Sequence, residues 1–144
     1  MIIDAHVHFF PDKIAARAVD KLAQVSGLTP CTDGTLAGAA ARMEASGVSR
    51  TVLLSIAKQQ EDINKNAVSL LKDKRFIPLG SVHCLSPSWR EQLVMLKESG
   101  VRGIKLHPDY QGFMINDRAW FPVYESCQDL GLVIVFHAGW DCYS

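Results

Sequence analysis

Hydrophobic positions along the chain follow two alternating rhythms. Short apolar runs fill residues 2–8, 50–56, 76–83, 102–107 and 132–137, each bounded by turn-forming residues, as strands are. Between them the apolar spacing lengthens to that of helices. In PDKIAARAVDKLAQVSG, Ile14, Ala18, Leu22 and Val25 fall on one predicted helical face, with Pro11 early and Gly27 as the stop. A second helix is expected in TLAGAAARMEASG, from a Thr35 cap to Gly47, after the one inserted loop, GLTPCTD. Further helices are predicted in EDINKNAVSLLKDK, in SWREQLVMLKESG, where Ser88 and Glu91 have capping-box spacing and Gly100 ends the run, and in NDRAWFPVYESCQDLG. In the last, Pro122 marks the first turn and Gly131 the end, because a proline deeper in a helix costs about 3 kcal/mol.

Strand then helix, repeated, predicts right-handed βαβ units and a parallel sheet within a single domain over residues 1–144. Five strands fit an open doubly wound sheet by number, since an eight-stranded barrel typically needs about 250 residues. The polar pattern points the other way. Asp4, His6 and His8 share one face of the first strand, and Lys105 and His107 share one face of the fourth, opposite Ile104 and Leu106. A sheet buried on both faces has no place for these groups, whereas the mouth of a barrel does. The expected fold is therefore α/β, a partial (β/α)8 TIM barrel of five parallel strands with intervening helices.

All five histidines, His6, His8, His83, His107 and His137, fall at the C-terminal ends of predicted strands, the edge where parallel α/β folds assemble their sites. Two histidines at i and i+2, about 6.5 to 7 Å apart along a strand, can lean onto one ion. With His137 ending the apolar run LVIVF, the pattern predicts a metal site. Imidazole nitrogen suits zinc and related divalent ions, manganese included. Asp4 is either a partner that fixes a histidine tautomer or a structural hydrogen-bond acceptor. His83 is expected to bond a loop carbonyl rather than line the pocket. Trp89, Trp120, Phe121 and Tyr124 read as core residues, and Phe9, Phe10, Tyr110, Phe113 and Trp140 as loop aromatics that can reach the mouth.

Composition narrows the partners. Fifteen basic and fifteen acidic residues cancel, and hydrophobic residues make up 48% of the chain, so electrostatic binding to nucleic acid or to an anionic membrane has no basis. A small-molecule substrate is expected. No apolar run reaches the roughly 20 residues that span a bilayer, and Cys31, Cys84, Cys127 and Cys142 lack paired spacing, so they read as reduced packing residues of a cytoplasmic protein.

Taken together, IIDAHVHFFP, GIKLHPDYQGF and LVIVFHAG resemble, in order and spacing, the amidohydrolase superfamily, in particular its amidohydrolase-2 branch of TIM-barrel metal-dependent hydrolases and decarboxylases. The resemblance implies that His6, His8 and His137 are metal ligands and that Lys105 and His107 face the substrate. Some superfamily members carboxylate a lysine on this strand to bridge two metals, which would make Lys105 a ligand. It implies a hydrolase of amide, ester or lactone bonds using metal-activated water, with nonoxidative decarboxylation as the alternative. Members of the family continue through three more strands, with a sixth-strand histidine and an eighth-strand aspartate as ligand and base, and Asp141 cannot be assigned that role. The expectation is thus that the 144-residue chain alone is weakly active or non-catalytic, and that it self-associates or is part of a longer parent chain.

Overall fold

The computed structural model describes residues 1–54 and 60–139. The predicted end of the second strand at Ser55 and Ile56, and Trp140, Asp141 and Cys142, lie outside the described residues. The order of elements is β1 (Ile3–Val7), α1 (Asp12–Ser26), α2 (Leu36–Ala45), β2 (Arg50–Leu54), α3 (Gln60–Leu70), β3 (Phe76–Leu79), α4 (Trp89–Glu98), β4 (Gly103–Leu106), α5 (Pro108–Gln111), a 3-10 turn (Arg118–Trp120), α6 (Phe121–Leu130) and β5 (Val133–Phe136). Every strand pair is parallel, in a three-stranded sheet ordered β1-β2-β3 and a two-stranded sheet β4-β5. The sheets meet at one residue. Gly80 donates to the Gly103 carbonyl at 3.1 Å and accepts from the Lys105 amide at 2.8 Å.

A side chain explains why β3 ends so early. Beyond Gly80, the Ser81 backbone finds its partners in fully buried Asn64 of α3, whose Oδ1 accepts from Ser81 N at 2.8 Å and whose Nδ2 donates to Ser81 O at 2.9 Å. The amide replaces a neighbouring strand, so the backbone leaves the sheet without stranding polar groups. On the other side Gly103 lets β4 approach β5, since a Cβ there would overlap the Val133 carbonyl.

The larger core lies between β3, β4 and helices α3, α4 and α6, around Trp89, Leu93, Leu96, Ile104, Trp120 and Val123. All four residues of β4 are buried, whereas β1 is largely exposed and β5 is half-buried beyond exposed Val133. Three expectations change. The buried side of α1 is set by Ala15, not by Ile14, Leu22 and Val25, which are exposed; the turn at Gly34 lies against the Val19 side chain, the Phe10 ring and the Ala15 carbonyl, and a Cβ at position 34 would overlap Val19. Ser88 forms no capping box. Its backbone is not extended (φ −102°, ψ 11°) and its hydroxyl pairs with Ser86 Oγ at 3.2 Å, so it does not point at the first-turn amides. Phe121 is exposed, while Trp89 and Trp120 are buried as predicted. No helix among the described residues is long and apolar enough to cross a membrane.

Candidate active site

The first pair of histidines is set by the alternation of β1. His6 and His8 project to the same side, and their Nε2 atoms lie 2.9 Å apart with ring centroids at 4.8 Å and planes at 80°. His8 Nδ1 is 2.7 Å from the Leu54 carbonyl at the end of β2. A carbonyl only accepts, so Nδ1 carries the proton and Nε2 presents a lone pair; His6 Nε2 is then the donor between the rings. Leu54 therefore does for His8 what was considered for Asp4. Asp4 takes its other predicted role, accepting the His6 backbone amide on Oδ1 at 3.1 Å.

The second group comes from β4 and β5. Leu106 pairs with Phe136 and His137 N donates to Leu106 O at 2.9 Å, which carries the ladder one residue on and sets His107 beside His137. Their rings stack at 4.0 Å and 12°, and Tyr110 stacks on the outer face of His107 at 3.9 Å and 4°. His107 is buried and caps α5, its Nδ1 accepting from Tyr110 N at 3.4 Å. Lys105 is only 3% exposed. Neither its Nζ nor His137 Nε2, both buried, has a hydrogen-bond partner among the described residues. Native folds rarely leave such atoms unpaired, and where they do a ligand or catalytic role is a usual cause.

Burial shapes the charge of the site. Desolvation, then Lys105 and His137, hold the His6 imidazole below its usual pKa against an opposing pull from Asp4. His8 is also held down, by burial first, with the Leu54 carbonyl opposing and His6, Lys105 and His107 adding. Burial lowers the Lys105 ammonium as well. The imidazoles are thereby kept neutral, the form that binds a metal.

These donors suit a divalent ion by type, since two imidazole nitrogens already converge, one with its tautomer fixed, and a third is buried and unpaired. The predicted set of His6, His8 and His137 is nonetheless not gathered into one cluster. Among the described residues no group of three or more His, Cys, Asp or Glu side chains is placed to hold a metal ion.

His83 stays out of this group, as expected. Its Nε2 donates to the Gln111 carbonyl at 3.0 Å and its Nδ1 accepts from Leu85 N. Phe113 is a correction, being buried and stacked on Trp120 at 3.9 Å in the core. Cys31, Cys84 and Cys127 are free thiols; Cys31 is exposed rather than packed, and burial pushes the Cys127 thiol up to about 11. Sequence reading missed α5 and Gln111, although Pro108 and Gly112 in HPDYQG bracket a short helix in the usual proline-first, glycine-last order.

The amidohydrolase family model matches residues 3–143. The chain is 35% identical over 66 residues, 44% of its length and 18% of the relative's, to 2-amino-3-carboxymuconate-6-semialdehyde decarboxylase of Dictyostelium discoideum. Among solved structures it resembles 5-carboxyvanillate decarboxylase LigW2 of Novosphingobium aromaticivorans with bound manganese, at TM-score 0.67 and 16% identity over 95% of this chain and 50% of that one. It also resembles a probable 2-pyrone-4,6-dicarboxylic acid hydrolase of Acinetobacter baumannii with citric acid bound, at TM-score 0.63 and 19% identity over 95% and 49%. The chain spans about half the length of these structures and less of the curated relative.

Proposed function

This chain belongs to the amidohydrolase family, and from that membership we propose that it forms the first five βα units of a (β/α)8-type barrel enzyme. The strand order β1 to β5 without reversal supports a barrel sector over a doubly wound sheet, whose order turns back at a switch point. At its strand ends the chain holds a divalent metal, zinc or manganese, through His6, His8 and His137. The reaction is hydrolysis of an amide, ester or lactone bond in a small carboxylic acid. One observation carries this reading. Two buried polar atoms without hydrogen-bond partners among the described residues, Lys105 Nζ and His137 Nε2, lie at the same sheet edge as the converging His6 and His8 nitrogens.

When bound, the metal supplies a water of pKa about 7 and polarises the substrate carbonyl. His8, its tautomer fixed by the Leu54 carbonyl, offers Nε2 as a lone pair, and the neutral His6 would do the same once its ring proton moves from Nε2 to Nδ1. The Lys105 ammonium, unpaired and desolvated, fits a substrate carboxylate, which would restore the hydrogen bonds that burial removed. His107, stacked between Tyr110 and His137, borders that carboxylate and can hold a proton for the reacting group. Nonoxidative decarboxylation is the second reading, favoured by the decarboxylase that is 35% identical over its matched segment. Self-association or a longer parent chain would cover the exposed β1 and the half-buried β5, and the free thiols of Cys31, Cys84 and Cys127 support a reducing, cytoplasmic setting.

The test is metal analysis and titration with Mn2+ and Zn2+ of the protein and of His6→Ala and His137→Ala variants, followed by assay of small carboxylic acids for CO2 release and, separately, for ester or lactone opening. One equivalent of metal, lost in both variants, is expected. Negligible metal, or metal retained in both variants, overturns the site.

A further inference from the structure

We propose that Gln111 is a positioning residue that rivets the seam between the two sheets at its C-terminal end and so fixes the stack of His107 on His137. It rests on the reading of His107 as a residue that borders the substrate. Among the described residues the sheets share only the Gly80 bridge to β4; past that point the β3 backbone leaves the ladder while β4 goes on pairing with β5 alone. Gln111 spans the gap. Its side-chain Oε1 accepts from His107 N at 2.7 Å, and its Nε2 donates to Val82 O at 2.8 Å. Its backbone joins the same two segments, since Gln111 N donates to His107 O at 2.9 Å and Gln111 O accepts from His83 Nε2 at 3.0 Å.

One amide thus satisfies a donor on one side of the seam and an acceptor on the other, as a backbone peptide would within a sheet. The geometry also explains why His107 can cap α5 and stack at once. With its own N–H held by Gln111, its backbone is fixed at φ −128°, ψ 95°, and that sets where the ring leaves the chain. Its position between Tyr110 and His137 follows. Removing the amide leaves His107 N and Val82 O to find other partners, and only the backbone contacts of residue 111 described above still link the two segments there.

The experiment uses the whole chain, metal-free, with 15N,13C-labelled histidine, and reads the imidazole signals of His107 and His137 by NMR in Gln111→Met, Gln111→Glu and Asn64→Ala. Methionine keeps the length and removes both hydrogen bonds. Glutamate keeps the acceptor for His107 N but removes the donor to Val82 O, so it opens the bridge from one side. Asn64→Ala loosens the same loop from the other side without touching His107. The ring-stacking shift of His107 and His137 is expected to be lost in Gln111→Met and Gln111→Glu and kept in Asn64→Ala. Signals unchanged in Gln111→Met, or lost equally in Asn64→Ala, overturn the proposal, because the role is then absent or merely structural. If Gln111→Met does not fold, Gln111→Glu decides alone, and an unchanged stack there overturns it. Titration of the wild-type chain with Mn2+ separates the two readings, since absence of binding removes the metal site and leaves the clamp result standing.

Discussion

Replacing Lys105 by methionine should stabilise the metal-free protein while weakening its binding of the small carboxylic acids proposed above as substrates. The Lys105 side chain is 3% exposed and its Nζ has no hydrogen-bond partner among the described residues. A buried polar group left unsatisfied costs about 1 to 3 kcal/mol. Methionine has a similar length, packs flexibly and carries no charge, so it fills the space without that cost. The variant should therefore gain about 1 to 3 kcal/mol at pH 7, or roughly 3 to 10 °C in Tm for a chain of this size. The sign of the pH dependence is also fixed. Burial holds the folded ammonium below its ordinary value of 10.5, so between the two values the unfolded state binds more protons, and wild-type stability rises with pH. The advantage of the variant is full below the folded pKa and shrinks as pH climbs towards 10.5. Urea unfolding followed by the fluorescence of buried Trp89 and Trp120, at pH 7 and 10 in the presence of a chelator, measures both effects. Substrate binding should be lost in parallel, the trade-off expected where a strained group serves the site. A methionine variant less stable than wild type at pH 7, or a gap that ignores pH, would falsify the reading of Lys105 as a buried, unpaired cation.

Asn64→Ala removes the bonds to Ser81 and Gln92 and leaves the Ser81 backbone unpaired, so denaturant unfolding should report a loss of about 3 kcal/mol. Gly103→Ala places a Cβ against the Val133 carbonyl and should cost about 1 to 3 kcal/mol as overpacking, with amide exchange in β5 accelerated more than in β2. His6 and His8 titrate below 6.5, so metal-free stability should fall as pH drops below 6.5, where the unfolded state takes up protons first. Mn2+ binding, followed by calorimetry, should accordingly persist to lower pH than ordinary imidazoles allow. Alkylation mapped by mass spectrometry should label exposed Cys31 in the native protein and reach buried Cys127, whose thiol is pushed up to about 11, only after unfolding.

The order of elements was legible because each βα unit announces its own ends. Thr35 caps α2 through a bond from Gly38 N at 2.9 Å, and Gly27 and Gly131 close their helices in the left-handed region, all local effects written in single residues. The helical face of α1 was misread for a non-local reason. Its period allows two apolar stripes, and the Gly34 turn packs on the one that carries Ala15 and Val19. Nothing in the helix itself signals that turn. The Ser88–Glu91 spacing failed similarly, since the preceding Ser86 captured the hydroxyl.

The site divides along the same line. The i, i+2 spacing of His6 and His8 already suggested that they meet, although the β1 pairing with β2 shifts register between Asp4 and Val7, and the parallel register of β4 and β5 brings His107 to His137. What joins the pairs is not periodic. The Leu54 carbonyl that sets the His8 tautomer is a backbone atom 46 residues away, and any residue at position 54 would supply it. Gln111 acts on Val82, 29 residues back, through a contact that exists only because the sheet breaks at Gly80. The candidate groups are thus legible in the sequence, because their residue types are unusual where they stand. Sequence reading misses the groups that hold them, because a carbonyl or a surface-like glutamine becomes informative only once the strands are side by side.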